Sequence, residues 1–172
     1  MAILDELSKT TVRARCFFLG FVVNSVIRFI DDDRTRQLAQ EAVRAINSWQ
    51  TDPEESGGED VYRWCGDTED EDGLIFIEQL QPRGPEHYAT LCVISAILYV
   101  AWHAFRAEGV EPPYASLASV DESVLGQTLG YAQRIPEYEF EGCESLMDFL
   151  IRNHPASASN EMGSLVVWYG VE

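Results

Sequence analysis

Apolar residues recur at steps of three and four along the first thirty positions, which is the spacing of one buried helical stripe. They predict a helix over residues 3–30. The stripe consists of Leu4, Leu7, Val12, Cys16, Leu19, Val23, Val26 and Ile30. A second helix follows in "DDDRTRQLAQEAVRAINSW", because one of the aspartates at 31–33 can cap its first turn. Its buried side comprises Leu38, Ala42, Ile46 and Trp49.

The clearest helix in the pattern runs over 85–108. Pro85 suits a first helical turn, and Gly109 suits the left-handed residue that stops a helix. Apolar residues occupy nearly every face between them, so this helix is expected at the centre of the fold. Shorter helices are predicted near 121–134 and 143–153.

The remaining segments lack a clear helical period. Residues 50–60 are predicted to form a loop because they contain Pro53 and Ser-Gly-Gly, while 74–80 fits either the end of a helix or a short strand. The C-terminal "SLVVWYGVE" fits a short strand or a docked extended segment. The fold class predicted is mainly α: an irregular multi-helix bundle with long acidic loops. We expect one domain over 1–172, with an acidic region of about 50–73 inserted between helices.

Two apolar stretches, "CFFLGFVVNSVIRFI" and "LCVISAILYVAWHAF", are long enough to suggest membrane spans. Asn24 and Arg28 interrupt the first stretch, and His103 closes the second. Both fall short of the roughly 20 apolar residues that cross a bilayer, so they are expected to be core helices, and no membrane partner is predicted.

The cysteines and the N-terminus indicate a cytoplasmic protein. The four cysteines lie far apart without paired spacing, which favours reduced, buried thiols. The N-terminal "MAILDELSKT" has acidic residues early and no apolar run typical of a secretory signal.

The net charge of the chain limits the classes of molecule that it can bind. The chain has 29 acidic and 12 basic residues, a formal net charge of −17. Such a chain repels nucleic-acid phosphates and anionic lipids, so no nucleic acid is expected, and it attracts cationic proteins. Solubility alone is the simpler explanation of the acidity. The charge is uneven, however: residues 51–72 contain ten acidic residues and one arginine, a net −9.

Part of this acidic run resembles a calcium-binding EF-hand loop. With Gly73 at position 6 of such a loop, Asp70 and Asp72 fall at ligand positions 3 and 5. Position 1 is then Thr68 and position 12 is Gln79, so the aspartate ligand of position 1 and the bidentate glutamate ligand of position 12 are both missing. We therefore predict no metal site, no cofactor, and thermal stability that does not respond to calcium.

Catalytic signatures are absent from the sequence. There is no P-loop, GxGxxG, GxSxG or HExxH motif, and the three histidines have no partner at metal-ligand spacing. We expect a protein that is not an enzyme. A pocket of converging polar groups around His103 or His87 is the feature that would revive an enzymatic function.

The charge pattern instead favours a docking surface, with a merely solvated loop as the alternative. Aromatic residues lie between the carboxylates, and rings that fill pockets within a charged rim are typical of protein interfaces. The candidate contacts of the main acidic segment are Glu54, Glu55, Tyr62, Trp64, Asp67, Glu69, Asp70, Glu71 and Asp72. A second candidate patch consists of Glu137, Tyr138 and Glu139.

The layout "RARCFFLGFVVNSVIRFI…AVRAINSW", a loop and then "ISAILYVAWHAFRAEGVEPP" resembles the all-helical immunity-six family of bacterial polymorphic-toxin systems. The residues that support the resemblance are Arg13, Trp49 and the "AWHAFRAEG" end of the central helix. The resemblance implies a cytoplasmic inhibitor that binds and occludes a cognate toxin domain.

Together, these features predict an immunity protein that binds a basic toxin, a nuclease or a nucleic-acid deaminase, stoichiometrically. The alternative is an acidic cytosolic adaptor or nucleic-acid mimic without a dedicated toxin partner. The two differ in selectivity, because a mimic binds many basic proteins loosely.

Overall fold

A computed structural model describes residues 2–66, 71–140 and 142–156 of the chain. This part is mainly α, as the sequence predicts, and contains no β-strand beyond an isolated bridge between Thr10 and Pro155. Its α-helices are α1 (Ala2–Leu7), α2 (Val12–Val26), α3 (Asp33–Thr51), α4 (Gly58–Tyr62), α5 (Leu74–Leu80), α6 (Pro85–Glu108), α7 (Ser123–Ala132) and α8 (Cys143–Asn153).

Helix α6 is the central element of the fold. It begins at Pro85 and ends before Gly109, which has the left-handed φ of 71° that a glycine tolerates without strain. It packs against α2, α3, α4, α5 and α7. By length and composition α6 could cross a membrane, but 78% of its most apolar stretch is buried within the fold. Such burial is typical of a core helix.

The single helix predicted over 3–30 is wrong, because the chain breaks into α1 and α2. Thr11 caps α2: its side-chain oxygen accepts a hydrogen bond from the Ala14 amide at 3.3 Å. The Thr11 amide in turn donates to the His154 carbonyl at 2.9 Å. The apolar spacing continues through this break, so only the contact with the distant C-terminal segment reveals it. At its other end α2 stops at Val26 and passes into a short 3-10 turn.

Other boundaries follow the sequence signals. Asp32 caps α3 through a 2.7 Å hydrogen bond from the Thr35 amide, and α8 spans the residues predicted for it. Residues 74–80, left open between helix and strand, form α5. The loop predicted over 50–60 is shorter than expected, because α3 continues through Thr51 and α4 begins at Gly58.

The core collects side chains from all eight of these helices. Its largest fully buried members include Trp49, Tyr99 and Phe18. All four cysteines are free and buried. The strand or extended segment predicted for "SLVVWYGVE" lies outside the described residues.

Candidate partner-binding surface

The acidic segment divides between the two ends of α3. Glu54 and Glu55 are exposed just after the C-terminal end of this helix. Glu71 and Asp72 lie at its N-terminal end, where the Arg34 guanidinium pairs with the Asp72 carboxylate and donates to the Glu71 carbonyl at 3.2 Å. A helix of 19 residues is about 28 Å long, so the run forms two separate patches. The predicted contacts Asp67, Glu69 and Asp70 lie outside the described residues.

An open groove of about 660 Å³ runs beside the C-terminal half of α3. Trp64 is half-buried at its edge, with the Arg63 guanidinium 4.8 Å from the ring centroid. The charged lining comprises Glu41, Arg44, Asp52, Glu55, Asp60 and Arg63. We call this feature the α3 groove. It combines an accessible ring with excess carboxylates, as the sequence pattern predicts for this segment.

Tyr62 has a different environment from Trp64. Its side chain is 4% exposed and stacks on the Tyr114 ring, with centroids 3.7 Å apart. Its hydroxyl lies 2.6 Å from the Ser116 hydroxyl. Tyr114 in turn donates to the Glu59 carboxylate, and this hydrogen bond raises the pKa of Tyr114 to about 12. Tyr62 therefore belongs to the interior that holds α4 in place, and we leave it out of the partner-binding surface.

The second predicted patch is partly buried as well. Tyr138 is 8% exposed, and its ring packs edge-on against Phe29 and Phe140. Glu137 and Glu139 on either side of it are exposed. The alternation of carboxylates and rings thus buries Tyr138, partly buries Phe140 and leaves the two carboxylates exposed.

Glu71 and Asp72 of the acidic segment and Glu137 of the second predicted patch lie at the same end of the molecule, where α3 and α6 begin. Two hollows, of about 290 and 320 Å³, lie next to each other there, because Asp31 and Pro85 line the first and their chain neighbours Asp32 and Glu86 line the second. The Asp32 amide donates to the Glu86 carboxylate at 3.0 Å, which joins the two helix starts. We call this surface the acidic end. Its carboxylates are Asp31, Asp32, Glu71, Asp72, Glu86 and Glu137.

Polar groups also converge around His103, on the side of α6 that faces α2 and α7. The Glu122 carboxylate accepts hydrogen bonds from Arg15 at 2.6 Å and from the Tyr99 hydroxyl at 2.8 Å. His103 Nε2 lies 3.4 Å from Glu122 Oε1 and is buried without a hydrogen-bond partner of good geometry. Burial lowers the pKa of His103 to about 4, although the Glu122 carboxylate opposes that shift.

The chemistry available to this His103 cluster is limited. An imidazole with so low a pKa is a weak general base at neutral pH. The lining of the adjacent hollow contains no serine, threonine or cysteine that could act as a nucleophile. The cluster is a hydrogen-bonded support between helices.

Metal ligation has no support in the described part of the chain. No group of three or more histidine, cysteine, aspartate or glutamate side chains is placed there to hold an ion. Gly73, at position 6 of the partial calcium loop, instead caps the start of α5.

Some residues of the candidate surface are not predicted by the sequence pattern. Phe76, Ile77 and Leu80 of α5 lie at the acidic end, and Leu80 is 72% exposed. The apolar run "LIFIEQL" fits either the end of a helix or a short strand by sequence, and only its helical conformation shows that these three side chains share the outer face. The aspartates at 31–33 are predicted only as helix caps, and Glu86 is not among the predicted contacts.

Two residues behind the family resemblance, Arg13 and Trp49, belong to the contact between α2 and α3. The buried Arg13 side chain donates to the Gln50 carbonyl at the end of α3, next to the buried Trp49. Burial lowers the pKa of Arg13. These residues therefore join α2 to α3 and are structural.

Fold and surface together define a mainly α protein whose carboxylates surround accessible apolar side chains, without a metal cluster or nucleophilic centre in the described residues. Residues 14–135 match the family described as "Immunity protein Imm6", which covers more than two-thirds of the chain. The chain therefore belongs to this immunity-protein family, and the resemblance is confirmed. No curated protein and no solved structure matches the chain.

Proposed function

We propose that this protein binds a cognate basic toxin domain in the cytoplasm and neutralises it by stoichiometric occlusion. Membership of the immunity-protein family is the observation on which the proposal depends. The net charge of −17 adds the sign of the partner, because such a field attracts cationic surfaces and repels anionic ones.

The toxin we propose acts on nucleic acid, as a nuclease or a nucleic-acid deaminase. An enzyme that binds nucleic acid does so through a cleft rich in lysine and arginine. An acidic inhibitor can pair with those same cations and exclude the substrate. The exposed carboxylates Glu54, Glu55, Glu71, Asp72 and Glu137 are suited to this pairing.

Inhibition by binding requires no catalytic group in the inhibitor, and the buried groups support this interpretation. Burial raises the pKa of the Cys65 and Cys92 thiols to about 12, so both remain protonated and poorly nucleophilic at neutral pH. His103 stays neutral, and its nearest carboxylate is already engaged by Arg15 and Tyr99.

Co-expression with the toxin domain encoded in the adjacent reading frame tests the proposal. The toxin domain alone should arrest growth, and this chain should restore it. The purified proteins should form a 1:1 complex in which the toxin loses its activity on nucleic acid.

An unrelated basic nuclease is the matched control. If this chain binds that nuclease as tightly as the neighbouring toxin domain, it is a general acidic mimic. If it binds neither protein, the proposal is wrong.

A further inference from the structure

Helix α5 presents an apolar face that no part of the described chain covers. Leu74 points inward and is fully buried, whereas Phe76 and Ile77 are half-buried and Leu80 is 72% exposed. The last three side chains occupy positions i, i+1 and i+4, so they lie on one side of the helix. They line the hollow of about 320 Å³ at the acidic end.

Exposure of this kind is rare in the molecule. Among the described residues, Leu80 and Val110 are the only large apolar side chains exposed by about half or more. Val110 stands singly after the end of α6, while Leu80 continues the apolar wall formed by its two neighbours. A contiguous apolar patch with a polar rim is typical of an interaction surface.

Carboxylates form the rim of this hollow. Asp32, Glu71 and Glu86 surround the apolar wall, and the single cation in the lining, Arg34, is already paired with Asp72. The Glu71 side chain is exposed, and only its backbone carbonyl is engaged by Arg34. The rim therefore has an excess of negative charge around an apolar centre.

We infer that the α5 face is the place where the toxin domain anchors, an inference that rests on the proposed function. An apolar side chain of the toxin domain packs on Phe76, Ile77 and Leu80, and lysines or arginines of the toxin domain pair with the carboxylates of the rim. The negative charge of the rim favours a basic toxin domain over the other molecules that could cover this face. A second copy of the chain would bring two acidic rims together, and an anionic lipid surface would be repelled.

The two parts of the surface have different kinetic roles. Buried apolar contact slows dissociation, whereas rim charges accelerate association and make it sensitive to salt. Leu80→Ala removes apolar contact without touching charge, and Glu71→Gln removes charge at almost constant shape. Both side chains are exposed, so neither change is expected to unfold the protein.

Binding of the adjacent-frame toxin domain, measured at low and high salt, is the test. Leu80→Ala should weaken Kd roughly 10- to 100-fold through faster dissociation, with the salt dependence unchanged. Glu71→Gln should slow association and flatten the salt dependence. Val110→Ala, a truncation of the other exposed apolar residue, should bind as the native protein does.

Several outcomes would overturn the inference. Native binding by Leu80→Ala and Glu71→Gln, together with weak binding by Trp64→Ala, would place the contact in the α3 groove and leave the proposed function intact. A Leu80→Ala variant that melts several degrees lower yet binds normally would assign the face to residues 157–172 of the chain itself. Dimerisation of the native protein that Leu80→Ala abolishes would assign it to a second copy. Failure of the native protein to bind the toxin domain contradicts the proposed function instead.

Discussion

His103 is a buried side chain whose environment is expected to make the stability of this protein depend on pH. The imidazole is 9% exposed and lies edge-on to the rings of Tyr99 and Trp102, with centroids 4.6 Å away in both cases. Burial is the main cause of its low pKa, and Glu122 opposes the shift while the Arg15 cation adds to it. The neutral imidazole is thus the form that the fold accommodates.

We expect stability to fall as the pH drops from about 6.5 to 4. In that window the unfolded chain takes up a proton at His103 and the folded protein does not, so protonation favours unfolding. The full effect is about 3 kcal/mol, given a native pKa of about 4 against an unfolded value of about 6.5. Urea unfolding at pH 7, 6 and 5 measures the upper part of this window, where more than half of the effect should already appear.

The His103→Gln variant isolates this group, because every other titrating residue is common to both proteins. The difference in unfolding free energy between the two should shrink or change sign as the pH falls. If the two stability curves run parallel from pH 7 to 5, the pKa of His103 is not lowered in the folded state.

At the scale of elements, α4 is held in place by its packing on the last turns of α6. The Gly58 amide donates to the Glu108 carboxylate at 2.5 Å, and the glycine lies directly over the Phe105 ring. A Cβ atom at position 58 would lie 2.6 Å from two carbons of that ring. Because Phe105 is buried in the core, the ring has little room to move.

Gly58→Ala should therefore destabilise the protein by about 1–3 kcal/mol through overpacking. Gly130→Ala in α7 is the matched control, since a Cβ there meets nothing within 4 Å. In a helix interior that change should stabilise by about 0.5–1 kcal/mol. Denaturant unfolding of both variants tests the pair; equal stability would mean that α4 does not pack closely on α6.

Elements with strong local signals could be predicted from the sequence. Pro85 and Gly109 mark the ends of α6, and Asp32 caps α3, because these residue types act through their own backbone and nearest turn. The break before Thr11 and the five-residue helix α4 could not be predicted. Both depend on tertiary partners, the His154 carbonyl and the Phe105 ring, that a local pattern does not contain.

At the scale of the whole molecule, the sequence shows which segments are acidic but not which of their carboxylates lie close together in the fold. Glu71 and Glu137 are 66 positions apart, and only the meeting of α3 and α6 brings their hollows together. Tyr62 and Tyr138 had the residue type of interface anchors. Their ring partners, Tyr114 and Phe29, lie 52 and 109 positions away in the sequence, so their burial could not be read from the neighbouring residues.

The excess charge should act mainly on the rate of association with the toxin domain. Beyond about 10 Å at 0.1 M salt, exposed charges are screened, so their long-range attraction appears as a salt-dependent rate. Replacing Asp67, Glu69, Asp70, Glu71 and Asp72 with Asn or Gln should slow association and flatten its dependence on salt between 25 and 500 mM. Stopped-flow mixing with the toxin domain measures both quantities.

Stability should change little in this variant, because the ion pair of Asp72 with Arg34, which it breaks in the described part of the chain, is largely exposed. The control neutralises Asp5 and Asp148 on α1 and α8, which pack on each other rather than on α5. Per charge removed, the control should slow association less, because its carboxylates lie away from the acidic end. An equal effect per charge would mean that the net charge attracts the toxin domain without directing it to one face. If the variant with five replacements at 67–72 associates at the native rate, these residues do not contribute to association with the toxin domain.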